Sequence, residues 1–458
     1  MTDDVTQIVV ASTLFAAVGA AAAVDEGMLG TPRRRLWLSV NNATMPELTA
    51  APHEIDGAAA VARRFDEVIT LTDVLAPTHP SQWSPREQDL PMLERLLRGH
   101  WRIGAGPVQL VLESIAVNPA RSLARVFDSA SVIVHSEGLM SYGPTRDPLP
   151  WRTARRIDGM LHVDLVPGLV PRLLAEHGVR SEPVPAAALR TVFSEVAHGP
   201  RTDGSTTAAR SAPVGRSALI VGQYLAAAKI LERDQESRLG VHMVERAVEH
   251  GVGHVVFKPH PSAPPVLTEV MAQSAHDHGV TFEVLADGRP VETLFESLEP
   301  DVVVGCFSTA LVTASGIYGI PVLAVDTATV LKQLVPMQNS NRVPLTIIDA
   351  LFAEDVPRRS PQSLQQLVDG VAYTMQPEHL AHLRPSVSDF LSRTSPEDVH
   401  RYHRLYRLRD LGLPGAPPEA PSTTPRAARP TGRPRAVVRR MMGRAWRQAR
   451  ARATPGGG

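Results

Sequence analysis

Short, almost wholly apolar runs that alternate with helical patterns constrain this chain more than any other feature. Residues 8–11, 36–40, 67–71, 108–112, 131–134 and 161–165 each read as a strand. Helical patterns separate most of them. Strands apolar on both faces must be covered on both faces, which is the signature of a parallel sheet between helix layers. From 199 to 215 the text turns to Gly, Pro, Arg, Thr, Ser and Ala without an apolar period, as an interdomain linker does. The alternation then restarts, with strands over 217–221, 254–257, 282–285 and 302–304 and helices over 235–250 and 266–278. The expected class is α/β, with parallel-sheet domains over 1–205 and 216–395, a closing helix over 396–412, and a Pro/Arg-rich tail over 413–458.

Other features narrow the class. At 458 residues the chain is long enough for two or three cores. Its single cysteine, Cys306, can make neither an internal disulfide nor a zinc site alone. The uncharged run 8–24 resembles an export signal, but acids precede it where export needs bases, and it is short for a membrane span. It reads better as a strand, then Ser12 and Thr13 opening a helix. The expected location is therefore the cytoplasm.

Three clusters carry candidate chemistry, each directly after a strand, at the sheet edge where open α/β sheets bind ligands. Lys258-Pro259-His260-Pro261 places a cation and an imidazole in a loop stiffened by two prolines. Lys258 is a candidate to neutralise phosphate and His260 to donate a proton to a leaving oxygen, with a merely rigid surface loop as the alternative. In 301–311 a strand, Gly305, then Ser308 and Thr309 open a helix, which suits an anion; plain N-capping by Ser308 is the alternative. Cys306 reads as a packed small residue. In the first domain Ser136-Glu137-Gly138 follows a strand, and Glu137 is a candidate base or a partner of Arg146. Lesser candidates at strand ends are Ser12, Asn41, Gly222 and Gln223, any of which can be a simple cap.

These clusters, in this order, resemble the bacterial α-2,8-polysialyltransferases and capsule sialyltransferases, of the kind found in actinobacteria. That group carries an acidic-acidic-Gly motif, a His-Pro motif and a Ser/Thr motif, matched here by Ser136-Glu137-Gly138, His260-Pro261 and Ser308-Thr309. The resemblance runs from about residue 6 to about 411. It implies a GT-B fold of two facing Rossmann-like domains with a central cleft. It further implies inverting transfer of sialic acid, or a related nonulosonic acid, from its CMP-activated form to a glycan or lipid-linked acceptor. Glu137 would be the base and His260 the acid. Lys258, Pro261, Ser308, Thr309, Gly222 and Gln223 would hold the nucleotide, and Ser12, Asn41, Tyr142 and Arg146 would line the acceptor side. No metal and no cofactor beyond the donor is expected, in keeping with the lack of any Asp-x-Asp pair. One departure is plain: Ser136 replaces the first acid, leaving one carboxylate. A silent glycan-binding protein of the same fold, or a transferase using another nucleotide, are the alternative readings.

The tail holds ten arginines and one acid, Glu419. At helical spacing Val437, Val438, Met441, Met442, Ala445 and Trp446 share one half, with most of the nearby arginines on the other. Such a segment suits an anionic membrane surface, and nucleic acid is not expected as a partner.

Overall fold

A computed structural model describes residues 4–136, 138–200, 215–260 and 265–416. The first sheet holds β1 (Thr6–Ala11), β2 (Arg34–Ser39), β3 (Glu67–Thr70), β4 (Val108–Leu112), β5 (Ser131–Ser136), β6 (Ile157–Val163) and β7 (Ser181–Val184). Its spatial order is β3-β2-β1-β4-β5-β6-β7, with every pairing parallel. The second holds β8 (Ser217–Val221), β9 (His254–Lys258), β10 (Thr281–Val284), β11 (Val302–Gly305) and β12 (Val322–Ala324). Its order is β10-β9-β8-β11-β12, again all parallel. Both are Rossmann-like, and together they make the GT-B arrangement. In each, the winding reverses between the first strand and the fourth, at β1/β4 and at β8/β11. A crevice opens outside the carboxyl ends of strands at such a reversal.

The run 8–24 forms β1 and the helix Leu14–Asp25, which is buried along most of its length. That helix lies between the first sheet and the helix Ala186–Ala197, with the Phe15 and Phe193 rings 5.4 Å apart. Covered on two sides, it has no solvent face to demand polar residues, hence its uniformly apolar text. Thr13 caps it by accepting from the Ala16 amide at 2.9 Å. Among the described residues no helix is long and apolar enough to cross a membrane.

The chain returns to the first domain through the helix Pro361–Met375. Asp369 on this helix takes both arms of the Arg172 guanidinium at 2.5 and 2.8 Å, and Gln365 accepts from the Val170 amide at 2.7 Å. The single closing helix expected over 396–412 is instead two short helices, Pro396–Tyr402 and Leu405–Asp410. Tyr402 and His403 are consecutive and both buried. One straight helix turns successive side chains about 100° apart, so the backbone extends at His403 instead.

Candidate active site

The loops that carry the three motifs leave the carboxyl ends of β5, β9 and β11. Gly222, just after β8, donates its amide to the Lys258 carbonyl at 2.8 Å. A Cβ at 222 would stand 2.9 Å from both the His260 nitrogen and the Lys258 oxygen, so only glycine lets the two loops nest. The His260 ring packs on Tyr224 with centroids 4.1 Å apart. Burial, helped by the Lys258 charge, pushes the imidazole down to about 4, so the ring is neutral at pH 7. Gln223 accepts from the Phe307 amide at 3.2 Å and ties this loop to the one after β11. Gly222 and Gln223 thus build the pocket's frame.

The loop after β11 passes through Cys306, which is fully buried and whose thiol burial pushes well up; it is a packing residue. Ser308 then caps the helix Thr309–Tyr318, its oxygen accepting from the Ala310 amide at 3.3 Å. Across the gap, a Cβ at Gly138 would lie 3.0 Å from the Thr309 hydroxyl oxygen. Motifs far apart in sequence and on opposite domains are therefore in contact. Glu137 and Pro261 lie outside the described residues, as does the tail from 417 onward, but Ser136 and Gly138, on either side of Glu137, both line the cleft.

That cleft has a volume of about 710 Å³, within the range of small-ligand sites. Its lining includes Glu113, Ser136, Gly138 and Arg146 from the first domain and His260, Glu292, Ser308 and Thr309 from the second. A separate pocket of about 470 Å³ beside β12 gathers His242, Arg246, Asp326 and Arg401. These side chains already pair with Asp326, Glu249, Glu354, Asp349 and Asp355, and none of the motifs reaches the pocket. Among the described residues no group of three or more His, Cys, Asp or Glu could hold a metal ion.

Several expected site residues sit elsewhere. Lys258 is not among the described lining residues: its ammonium donates to the Asp287 carbonyl at 2.5 Å, and Asp287 is clasped by the buried Arg289. Burial lowers the lysine's pKa while Asp287 and Glu292 oppose the drop. Its role here is to brace the loop that carries His260. Tyr142 is fully buried in the first domain, edge-on to His162 at 6.2 Å. Burial there pushes its phenol well above the usual range, so the hydroxyl stays protonated inside the domain. Asn41 lines another, shallow pocket and spends its amide on the carbonyls of Pro46 and Thr49, at 3.1 and 2.7 Å. Ser12 lies beneath the cleft, its amide and hydroxyl donating to Glu113 at 2.6 and 2.8 Å.

Two acids went unnoticed in the sequence. Glu113 is the first residue after β4, a polar residue at a winding reversal, and that position was a usable signal. Glu292 sits in a single short turn, Val291–Leu294, with no pattern around it. Only 4% exposed, its carboxyl is pushed up to about 7 by burial, against the pull of Lys258.

Comparison with known proteins places this geometry. The family model described as alpha-2,8-polysialyltransferase matches residues 7–327, well over half of the chain. No curated protein matches it in sequence. Among solved structures, it is similar to a sialyltransferase from Photobacterium damselae (residues 113–497, the GT-B domain) at 11% identity and TM-score 0.39, covering 75% of this chain and 96% of that one. It is also similar to MurG of Acinetobacter baumannii at 11% identity and TM-score 0.37, covering 84% and 99%. UDP-GlcNAc 2-epimerase of Methanocaldococcus jannaschii matches at 9% identity and TM-score 0.44, covering 81% and 99%. Likenesses this distant carry no argument about chemistry, whereas the family match spans both sheets up to the start of the helix after β12. The chain belongs to the alpha-2,8-polysialyltransferase family and is a glycosyltransferase.

Proposed function

We propose that this glycosyltransferase moves sialic acid, or a related nonulosonic acid, from its CMP-activated form to a glycan hydroxyl with inversion at the anomeric carbon. The observation that carries the reading is the convergence of His260, the Ser308–Thr309 helix start and the two neighbours of Glu137 on one cleft between two domains. Inversion needs the attacking hydroxyl and the departing phosphate on opposite faces of the sugar, and walls from separate domains supply opposite faces. The leaving phosphate sits at the amino end of the helix Thr309–Tyr318, where free amides and the Ser308 and Thr309 hydroxyls meet it.

His260 enters this site as a neutral ring and offers an N–H to the phosphate. The incoming anion favours the imidazolium, so the ring gains basicity as the donor binds and can pass a proton to the phosphate as the glycosidic bond breaks. Glu137 takes the acceptor's proton. Lys258 acts from behind the loop rather than on the phosphate. Arg146, exposed at the cleft, is the cation on the first-domain wall suited to the donor's carboxylate. Purified protein should release CMP from CMP-N-acetylneuraminate, and CMP should raise its melting temperature more than UDP, GDP or ADP does. Equal stabilisation by all four nucleotides, with no CMP released above background, would contradict the proposal.

A further inference from the structure

One helix of the first domain ends against the second. The helix Ala186–Ala197 packs on Leu14–Asp25 of its own domain and carries no base in its last turn, where the terminal carbonyls favour a cation. That cation comes from the second domain: Arg289, in the loop between β10 and β11, donates from Nη1 to the Ala197 carbonyl at 3.0 Å. The rest of the guanidinium is engaged within its own loop. Nε and Nη2 clasp the oxygens of Asp287 at 2.7 to 3.1 Å, and the Arg289 amide donates to Asp287 Oδ1 at 2.8 Å. The two side chains are only 6% and 9% exposed. Burial works against the Asp287 carboxylate, yet the Arg289 hydrogen bonds hold its pKa below the ordinary value, so the pair is ionic.

Asp287 has a second task. Its carbonyl takes the Lys258 ammonium, and a single residue, Pro259, with its ring-locked φ, joins Lys258 to His260. A continuous set of contacts therefore runs from the end of a first-domain helix through Arg289, Asp287 and Lys258 to the loop that holds the imidazole at the cleft. A buried ion pair adds little net stability over apolar residues of the same volume, whereas a guanidinium with three nitrogens engaged fixes the places of both its partners. We propose that Arg289 is a positioning residue for the transfer step: it ties the contact between the two domains to the loop that carries His260, so that the imidazole stands against the phosphate only while the first domain is seated. The inference rests on the proposed transferase reading for what His260 does, and not for where Arg289 holds it.

The test uses the full chain with Arg289→Lys and Arg289→Ala. Lysine keeps a cation beside Asp287 but, with one nitrogen in place of three, does not span Asp287 and Ala197 together. Release of CMP from CMP-N-acetylneuraminate should show kcat lower by about 10- to 100-fold in both variants, with KM for the donor changed by less than about threefold, because the phosphate site is kept and the reacting group is misplaced. Methylguanidinium should return part of the lost rate to Arg289→Ala and none to Arg289→Lys, whose own side chain fills the space. A second readout needs no donor: the NMR titration midpoint of His260, about 4 in the wild type, should rise in both variants as the loop slackens and water reaches the ring. Should Arg289→Ala not fold, Arg289→Lys carries both readouts. A midpoint that stays at about 4 in folded Arg289→Lys overturns the inference, and so does a wild-type kcat in that variant. A rate loss matched by a rise in KM, with no response to methylguanidinium, marks a merely structural residue and overturns it too. If the wild type releases no CMP, the donor assignment fails, while the His260 midpoint still decides the role of Arg289.

Discussion

At the level of single residues, the proposed transfer turns on His260. A ring held at about 4 and packed on Tyr224 keeps its place without carrying charge until an anion arrives. His260→Ala should lower transfer by about 10²- to 10⁴-fold, the usual range for a lost general acid, with an unchanged circular dichroism spectrum. In an NMR titration of the free protein the His260 ring should turn over near 4, and saturating CMP should move the midpoint up. By linkage, CMP then binds more tightly as the pH falls from the higher midpoint towards the lower one. Tyr224→Ala should let water reach the ring and raise its midpoint towards the ordinary 6.5, whereas Tyr224→Phe keeps the stacking surface and the low value. Residue roles were legible where the backbone sets them: Cys306 packs as its position after a strand suggested, and Ser308 makes the helix cap that was the alternative to nucleotide binding. Lys258, Tyr142 and Asn41 were not, because which way a side chain turns from a loop depends on partners distant in sequence. The Asp287 carbonyl that holds Lys258, for instance, is 29 positions away.

Among the elements, the close contacts fall at loops and at the returning helix. A Cβ at Gly138 would press on the Thr309 hydroxyl at 3.0 Å, so Gly138→Ala should displace that side chain from the cleft wall and reduce transfer more than stability. Thr309→Ser, which removes the methyl and frees the side chain to turn, should recover part of the loss in that background. The Arg172–Asp369 pair, only 16% and 13% exposed, ties the helix Pro361–Met375 to the first domain. Arg172→Ala leaves Asp369 short of its partner and should cost about 3 kcal/mol in denaturant unfolding. Most strands were readable because central strands of a covered parallel sheet are continuous apolar runs. The two that were missed are edge strands: β7 contains Glu182 and Pro183, and β12 has three residues. Proline is tolerated at a sheet edge, where one side of the backbone makes no ladder bonds. The returning helix was missed for another reason: its partners Arg172 and Val170 lie nearly 200 positions away, and no local period reports that.

For the whole molecule, a buried histidine contributes to the acid limit. His403 is fully enclosed beside Arg342, and burial and that charge bring it down to about 4. With a folded value of about 4 and an ordinary value of 6.5, the unfolded chain takes up the proton first. Stability is therefore intact above about 6.5 and is lost as the pH falls from there towards 4, by about 3 kcal/mol for a fully buried group at the lower end. Chemical denaturation across that window should show the loss, and His403→Gln should flatten it. The fold was legible as two α/β domains because each half alternates apolar strands with helical patterns, and the candidate motifs were legible as loops at strand ends, which a parallel sheet gathers along one edge. Glu292 and the apolar residues on the first-domain side of the cleft emerge only when the domains face each other, whereas the place of Glu113 at the end of β4 could have been read. The most direct test of the central claim, that one cleft between two domains holds a CMP-linked donor against His260, is calorimetric titration of CMP into wild type and His260→Ala at pH 6 and pH 8. The account predicts tighter wild-type binding at pH 6 and a variant that binds more weakly and loses this pH dependence; equal affinity for both proteins at both pH values would contradict it.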